Sequence, residues 1–87
     1  MGVNIEFYGI PRSRAGTADA MAEGTTLGEV LCNLARQFPD LAADCIVNDS
    51  LVDGYAANLN GQRFVRDPQT PIDDGDSLLI LSSDAGG

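Results

Sequence analysis

Alternation of apolar and polar side chains near the start of the chain predicts a β-strand with one buried face. Over residues 4–10, Ile5 and Phe7 point to one side of the strand, whereas Tyr8 points to the other. The stretch over residues 11–17 begins with proline and contains glycine, and it predicts a turn. The chain therefore begins with a strand that covers one side of a core.

The clearest helix signal lies in the middle of the chain. Thr26 is a favourable N-cap, and Glu29 three residues later completes a capping box. The apolar side chains that follow recur at helical spacing and form one stripe, made of Leu27, Val30, Leu31, Leu34, Ala35 and Phe38. Pro39 ends this helix, and a further short turn of helix is expected over residues 41–44.

Turn residues divide the rest of the chain into strands. Four further strands are expected, the first of them with a poor pattern: 18–23, 55–59, 62–65 and 77–81. Asn60-Gly61 is a strong hairpin signal between two of these strands. Residues 47–54, rich in Asn, Asp and Gly, predict a loop, and the acidic run over residues 73–76 predicts a tight turn.

The order of these elements indicates the fold class. One amphipathic helix must lie across one face of a mixed sheet of about five strands, because no second layer of helices is expected. This order predicts an α+β roll, and the arrangement in which the first and last strands pair in parallel at the sheet centre is the β-grasp. We expect one β-grasp domain over residues 1–82 and a flexible C-terminal tail over residues 83–87, which has nothing to bury.

Composition then narrows the possible functions. The chain has 13 acidic residues, five basic residues that are all arginine, a formal net charge of −8, and no lysine, histidine or tryptophan. The missing histidine excludes Ser-His-Asp and Cys-His catalytic pairs, and with only two cysteines it excludes the usual zinc and iron–sulfur sites. So negative a chain is not expected to bind nucleic acid. We expect a protein that is not an enzyme and binds no metal or cofactor itself.

The acidic run offers one candidate for metal or acid–base chemistry. Its carboxylates at Asp73, Asp74 and Asp76 flank Gly75, and turn chemistry accounts for them without a metal. The distributed negative charge favours instead a role in docking onto a basic partner.

The compartment is expected to be the cytoplasm. The first residues lack the basic and apolar regions of a signal peptide, and no apolar run is long enough to span a membrane. Cys32 and Cys45 are too sparse for the disulfide framework of a small secreted domain. We therefore expect two free thiols and no membrane partner, with a Cys32–Cys45 disulfide as the alternative.

The last strand predicts a surface for a protein partner. Alternation places Leu78 and Ile80 on one face of the sheet and Leu79 and Leu81 on the other, and one helix covers only one face. An exposed apolar patch on an acidic protein indicates a docking surface. We expect this partner-binding surface to contain Tyr8, Phe64, Leu79 and Leu81, and a strand buried in an oligomer is the alternative.

The C-terminal residues are the strongest candidate for chemistry. No bulky side chain follows Leu81, and the chain ends in Ala85, Gly86 and Gly87. Such a segment can thread a narrow channel, because glycine allows close backbone approach. A carboxylate is a poor electrophile, so the Gly87 carboxylate needs activation, for example as an acyl-adenylate, by an external enzyme that uses ATP.

At this point the chain resembles a known family. The segments that carry the resemblance are Phe7-Tyr8-Gly9, Ala15-Gly16-Thr17, Arg36-Gln37-Phe38-Pro39, Asn58-Leu59-Asn60-Gly61, the run from Thr70 to Asp76, and Ala85-Gly86-Gly87. In this order they resemble the MoaD/ThiS sulfur-carrier family over nearly the whole chain, and the Ala-Gly-Thr segment favours its MoaD-like branch. The segment before the terminal glycines lacks the proline pair that is frequent in MoaD proteins, so the biosynthetic pathway stays open.

The resemblance implies a ubiquitin-like β-grasp and a specific role. An adenylating enzyme of the ubiquitin-activating, MoeB/ThiF type would activate Gly87 with ATP, and sulfur would replace one oxygen to give a thiocarboxylate. A synthase subunit would then accept the sulfur, with molybdopterin-type biosynthesis favoured. Gly86 and Ala85 would allow threading, while Tyr8 and Leu81 match partner-facing positions. Two alternatives are a ubiquitin-like modifier joined to other proteins through Gly87, and a β-grasp interaction module without carrier function.

Overall fold

The computed structural model describes residues 2–83, which form seven strands and three helices. The strands are β1 (Val3–Tyr8), β2 (Asp19–Ala22), β3 (Ile46–Val47), β4 (Ser50–Leu51), β5 (Tyr55–Leu59), β6 (Arg63–Val65) and β7 (Ser77–Ser82). The helices are α1 (Ile10–Ala15), α2 (Leu27–Gln37) and α3 (Pro39–Cys45).

Five of the strands form one mixed sheet in the order β2-β1-β7-β5-β6. The first and last strands, β1 and β7, run parallel at its centre, and the other pairs are antiparallel. Ile5 lies opposite Leu78, and Phe7 lies opposite Ile80. This arrangement is the β-grasp, so the expected α+β fold is confirmed.

The core lies between this sheet and the apolar side of α2. Five side chains on the covered face of the sheet are buried: Ile5, Phe7, Leu59, Leu78 and Ile80. They meet the predicted helical stripe, of which Leu27, Val30, Leu31 and Leu34 are fully buried. At the end of the stripe, the Phe38 ring packs edge-on against Phe7, with ring centroids 5.6 Å apart. The stripe and the strand alternation therefore face each other as the sequence predicts.

The start of α2 follows the predicted capping box with one change. The Thr26 hydroxyl accepts a hydrogen bond from the Glu29 amide at 3.2 Å, as a capping residue should. The Glu29 carboxylate, however, accepts from the amide and the hydroxyl of Thr25, at 2.7 and 2.9 Å, rather than from the amide of Thr26. These hydrogen bonds lower the pKa of Glu29, because they favour its charged form.

Helix α1 stands where the sequence analysis predicted a turn. Pro11 lies in its first turn, where a missing amide proton costs nothing and the fixed φ favours the helix. Gly16 ends the helix in a left-handed conformation with φ 76°, and its amide donates to the carbonyl oxygen of Arg12 at 3.0 Å. The proline and glycine thus delimit a short helix rather than a turn.

The predicted loop over residues 47–54 contains a small hairpin. Strands β3 and β4 pair through Ile46–Leu51 and Val47–Ser50, and Asn48 takes a positive φ of 58° in the turn between them. Helix α3 precedes this hairpin and is longer than the single turn expected for it. The second hairpin is confirmed, since Asn60 and Gly61 both take the positive φ that its tight turn requires.

Two further expectations concern the thiols and the membrane. Cys32 is partly exposed, Cys45 is buried, and both are free thiols, as expected. Within residues 2–83, no helix combines the length and the apolar character needed to cross a membrane. The flexible tail expected over residues 83–87 lies outside the described residues except for Ser83.

Candidate functional site

The face of the sheet that points away from the helices carries the residues predicted to bind a partner. Leu79 and Leu81 are partly exposed, while their neighbours Leu78 and Ile80 are buried. Tyr8 is 57% exposed and Phe64 is 67% exposed, which is unusual for large apolar side chains. We call this side of the sheet the open face. The predicted face assignment is therefore confirmed by burial.

Strand register arranges the open face in two rows. In the row nearest the end of β7, Leu81 lies between Tyr8 of β1 and Ala56 of β5. In the next row, Leu79 lies opposite Asn58 of β5. Phe64 of β6 lies on the far side of Asn58, so it is separated from the leucines by one strand. The four predicted residues thus share one surface, with Tyr8 and Leu81 as direct neighbours.

One polar group within this surface lacks a hydrogen-bond partner among residues 2–83. The Asn58 side-chain oxygen is buried, and no hydrogen bond to it is found within the described residues. An unsatisfied buried acceptor costs about 1–3 kcal/mol. Sequence reasoning did not identify Asn58 as a site residue, because its position in a strand does not reveal which polar atoms are paired.

Two exposed apolar residues adjoin the predicted set. Ile10 is 44% exposed at the start of α1, two residues after Tyr8. Met21 is 55% exposed on β2, opposite Asn4 and hence on the open face. The alternation of the first strand could have indicated Ile10, whereas Met21 lay in the strand with the poorest pattern.

The root of the C-terminal tail is fixed beside the open face. Ser82 lies opposite Tyr55 and is buried, and the Ser83 amide donates to the carbonyl oxygen of Gly54 at 2.8 Å. Leu81 pairs with Tyr8, and the chain leaves the centre of the sheet one residue later, at Ser82. Ala85, Gly86 and Gly87, the residues predicted to thread and to react, lie outside the described residues.

Ion pairs surround the same end of the sheet. Arg14 of α1 pairs with Asp44 of α3 at 2.6 Å, and Arg66 pairs with Asp53 at 3.1 Å. Arg66 also donates to the carbonyl oxygens of Tyr55 and Leu51, at 2.9 and 3.2 Å, and so holds the small β3–β4 hairpin against the sheet. Arg14 and Arg66 are therefore each engaged with an acidic side chain.

A buried thiol also lies close to the tail root. The buried Cys45 thiol lies near Tyr55, the residue opposite Ser82. Burial raises the pKa of Cys45 and also raises the pKa of Tyr55. Both groups are thus neutral at physiological pH, which makes Cys45 a poor nucleophile.

The acidic run lies at the opposite end of β7 and has a structural role. The Asp76 carboxylate accepts from the Asp73 amide at 2.8 Å and from the Asn60 side-chain amide at 3.1 Å. These hydrogen bonds lower the pKa of Asp76. The Gly75 amide donates to the carbonyl oxygen of Gly2 at 2.8 Å, which ties the turn to β1. Among residues 2–83, no group of three or more Cys, Asp or Glu side chains is placed to hold a metal ion.

Several solved structures are similar to this chain. A search of curated proteins found no match to this chain. SAMP1 from Haloferax volcanii has a similar structure, with a TM-score of 0.82, 19% identity and full coverage of both chains. The Amycolatopsis orientalis BexX/CysO complex gives a TM-score of 0.80, 23% identity and coverage of 98% of this chain and 99% of the other.

CysO from Mycobacterium tuberculosis is similar at higher identity. Its TM-score is 0.75 and its identity is 28%, with coverage of 92% of this chain and 97% of that one. The model of the ThiS family matches residues 5–87, which include most of β1, all of β7 and the terminal glycines. The resemblance noted in the sequence is thereby confirmed, and the chain belongs to the ThiS family.

Proposed function

We propose that this protein is a sulfur carrier that works through the carboxylate of Gly87. A partner enzyme of the MoeB/ThiF type would join this carboxylate to the α-phosphate of ATP, with release of pyrophosphate. Hydrosulfide would then attack the acyl carbon, form the C–S bond, displace AMP and leave a thiocarboxylate. The chain itself would be a co-substrate rather than an enzyme, and ATP would be bound only by the partner.

One observation carries the proposal. The last strand of a ThiS-family chain leaves the centre of the sheet directly beside an uncovered apolar face, at Tyr8 and Leu81. A partner that docks on this face would have the tail root at the edge of its footprint. Gly87 is five residues beyond Ser82, and a chain of that length spans up to about 17 Å when extended, which is enough to reach a recessed active site.

The same geometry supports the choice of partners. Both the adenylating enzyme and a sulfur-accepting synthase subunit would act on the tail. Because the root of the tail lies beside the open face, each would cover that face in turn. One similar structure is itself a complex, that of BexX with CysO. We keep molybdopterin-type biosynthesis as the predicted destination of the sulfur. The need for ATP and the two free thiols fit a cytoplasmic protein.

Intact mass spectrometry of protein purified from its own host tests the carrier role. Replacement of one oxygen by sulfur should add about 16 Da, on a C-terminal peptide that contains Gly87. A thiol-reactive alkylating agent should label that peptide even after both cysteines are replaced by serine. A chain that ends at Ala85 is the matched control and should acquire neither the mass nor the label. A wild-type chain that never carries the added mass, in cells that contain the adenylating enzyme, would contradict the proposal.

A second candidate is conjugation to other proteins through Gly87. Three of the similar structures belong to proteins described as small archaeal modifier proteins or SAMP1. The chain has no lysine, so it could be attached to partners but could not form lysine-linked chains. Peptides in which Gly87 is bonded to a lysine side chain of another protein would support this role. If removal of Gly86 and Gly87 left the cellular function intact, the chain would be an interaction module instead.

A further inference from the structure

Strand β2 forms one edge of the five-stranded sheet, and half of its peptide groups point away from the sheet. The Phe7 amide donates to the carbonyl oxygen of Ala18, and the register then turns the peptide groups of Ala20 and Ala22 toward β1. The peptide groups of Met21 and Glu23 therefore point outward. An edge of this kind can pair with a further strand unless something covers it.

Two side chains of α2 cover these outward groups. The Asn33 side-chain oxygen accepts a hydrogen bond from the Glu23 amide at 3.2 Å, and the Gln37 side-chain NH₂ donates to the carbonyl oxygen of Met21 at 2.8 Å. Gln37 also donates to the Asn33 oxygen at 2.8 Å, which joins the two amides into one unit. We call Asn33 and Gln37 the amide latch.

The amide latch reproduces the bonding pattern of a neighbouring parallel strand. In a parallel pair, a residue of one strand bonds to the two residues that flank its opposite residue on the other strand. Its N–H donates to the C=O of the preceding flanking residue, and its C=O accepts from the N–H of the following one. Around Ala22, Gln37 supplies the donor to Met21, and Asn33 supplies the acceptor for Glu23. Two side-chain amides thus stand where the peptide groups of one added residue would stand.

The surroundings leave room for a strand and favour a positively charged one. A surface hollow of about 380 Å³ borders the latch and is lined by Gly2, Met21, Ala22, Glu23, Asn33 and Gln37. The acidic side chains of Asp19 and Glu23 are exposed along this edge, and Glu6 lies directly opposite Asp19. Lysine or arginine side chains of an added strand would meet these carboxylates.

We propose that β2 is a latched strand-addition site for an extended, basic segment of a partner protein. Such a segment would displace the amide latch, pair in parallel with β2 around Ala22, and extend the sheet at the edge opposite β6. This site lies at the sheet edge and adjoins the open face at Met21, and it does not depend on the sulfur-carrier proposal.

A second copy of this chain is a poorer occupant. Two copies related by a two-fold axis through a shared sheet edge pair in an antiparallel manner. A pair centred on Met21 would place Asp19 of one copy opposite Glu23 of the other. Like charges directly opposite each other are destabilising, and the antiparallel register would not use the pattern that the latch reproduces.

Titration of the isotope-labelled chain with synthetic peptides, followed by NMR, tests the proposal. The probe is a capped heptapeptide of alternating lysine and valine, and its counterpart carries glutamate in place of lysine. The double variant Asn33→Ala/Gln37→Ala opens the latch, and alanine preserves the helix. Gln37→Met removes the donor at similar side-chain length and adds no charge, and Gln62→Ala, at the distant hairpin, is the matched control.

The expected results distinguish the occupants. The lysine peptide should shift the amides of residues 19–23 and should bind the double variant about tenfold more tightly than the wild type, because two hydrogen bonds no longer compete. Gln37→Met should also bind more tightly, Gln62→Ala should bind as the wild type does, and the glutamate peptide should not bind. Equal affinity of wild type and double variant, shifts outside the edge, or dimerisation of the double variant in light scattering would each overturn the proposal.

Discussion

Two adjacent residues of β7 separate the role of the core from that of the open face. Ile80 is fully buried between Phe7 and Ala57, whereas its neighbour Leu81 lies on the open face between Tyr8 and Ala56. We predict that Ile80→Ala impairs folding and leaves the docking surface unchanged. Leu81→Glu should do the opposite.

The magnitudes follow from burial. Truncation of a fully buried isoleucine to alanine costs about 2–5 kcal/mol, from lost burial and the cavity that remains. A chain of 87 residues has a total stability of about 4–13 kcal/mol, so Ile80→Ala removes a large fraction of it. Leu81 is already partly exposed, and its replacement by glutamate should cost about 1 kcal/mol or less.

Urea unfolding followed by circular dichroism measures the first effect, and binding to the adenylating enzyme measures the second. A glutamate on an apolar interface loses the leucine contact and buries an unpaired charge, so Leu81→Glu should weaken binding by at least about tenfold. Leu81→Ala serves as the control for charge and should weaken binding less. If Leu81→Glu unfolded the chain as strongly as Ile80→Ala, or bound the enzyme as well as the wild type, the assignment of the open face would be wrong.

Three further predictions concern a carboxylate, the thiols and an arginine. Hydrogen bonds from Thr25 lower the pKa of Glu29, so the charged carboxylate stabilises the fold above the ordinary glutamate pKa, and this effect is lost as the pH falls through the lowered pKa. Glu29→Gln should therefore flatten the acid side of a plot of unfolding free energy against pH. An unchanged slope would contradict this. Alkylation of the native chain should modify Cys32 before the buried Cys45, and peptide mapping that found equal rates would refute it. Arg66→Lys cannot reproduce the three hydrogen bonds of the guanidinium and should destabilise the chain by about 1–3 kcal/mol in urea unfolding. An unfolding free energy equal to that of the wild type would show that Arg66 does not hold the β3–β4 hairpin.

The elements that the sequence predicted well are those whose signals are local. Alternation in β1 and β7, the Asn60-Gly61 turn and the capped stripe of α2 each depend on residues within one segment, and each is present. Helix α1 was missed because a proline can either end a segment or begin a helix. Only the left-handed conformation of Gly16, five residues later, shows that Pro11 begins one. The β3–β4 hairpin was missed because two-residue strands are too short to show a period.

The candidate site divides in the same way. Which side chains point to the open face could be predicted, since strand alternation alone decides it. The lack of a partner for Asn58 depends on its neighbours on β6 and β7, which lie far away in the sequence. The amide latch likewise requires that Asn33 and Gln37 of α2 lie beside Met21 and Glu23, and no pattern within α2 indicates this. Such contacts arise from tertiary packing, so they become visible only in the folded chain.

The position of the acidic turn changes what the net charge of −8 should do. Asp74 lies in the turn before β7, and the tail leaves at the other end of this six-residue strand, about 20 Å away. This distance exceeds the Debye length of about 8 Å at physiological salt, so Asp74 can steer an approaching partner without stabilising the contact at the tail root.

Association and dissociation rates should therefore respond to different residues. Asp74→Asn, which removes an exposed charge and leaves the hydrogen bonds of Asp76 in place, should slow association with the adenylating enzyme and hardly change dissociation. Leu81→Glu should mainly speed dissociation, because the apolar contact holds the complex together. Surface plasmon resonance at two salt concentrations separates the two rates. If Asp74→Asn accelerated dissociation as much as Leu81→Glu does, the acidic turn would itself belong to the interface, and the partner would have to cover the full length of β7.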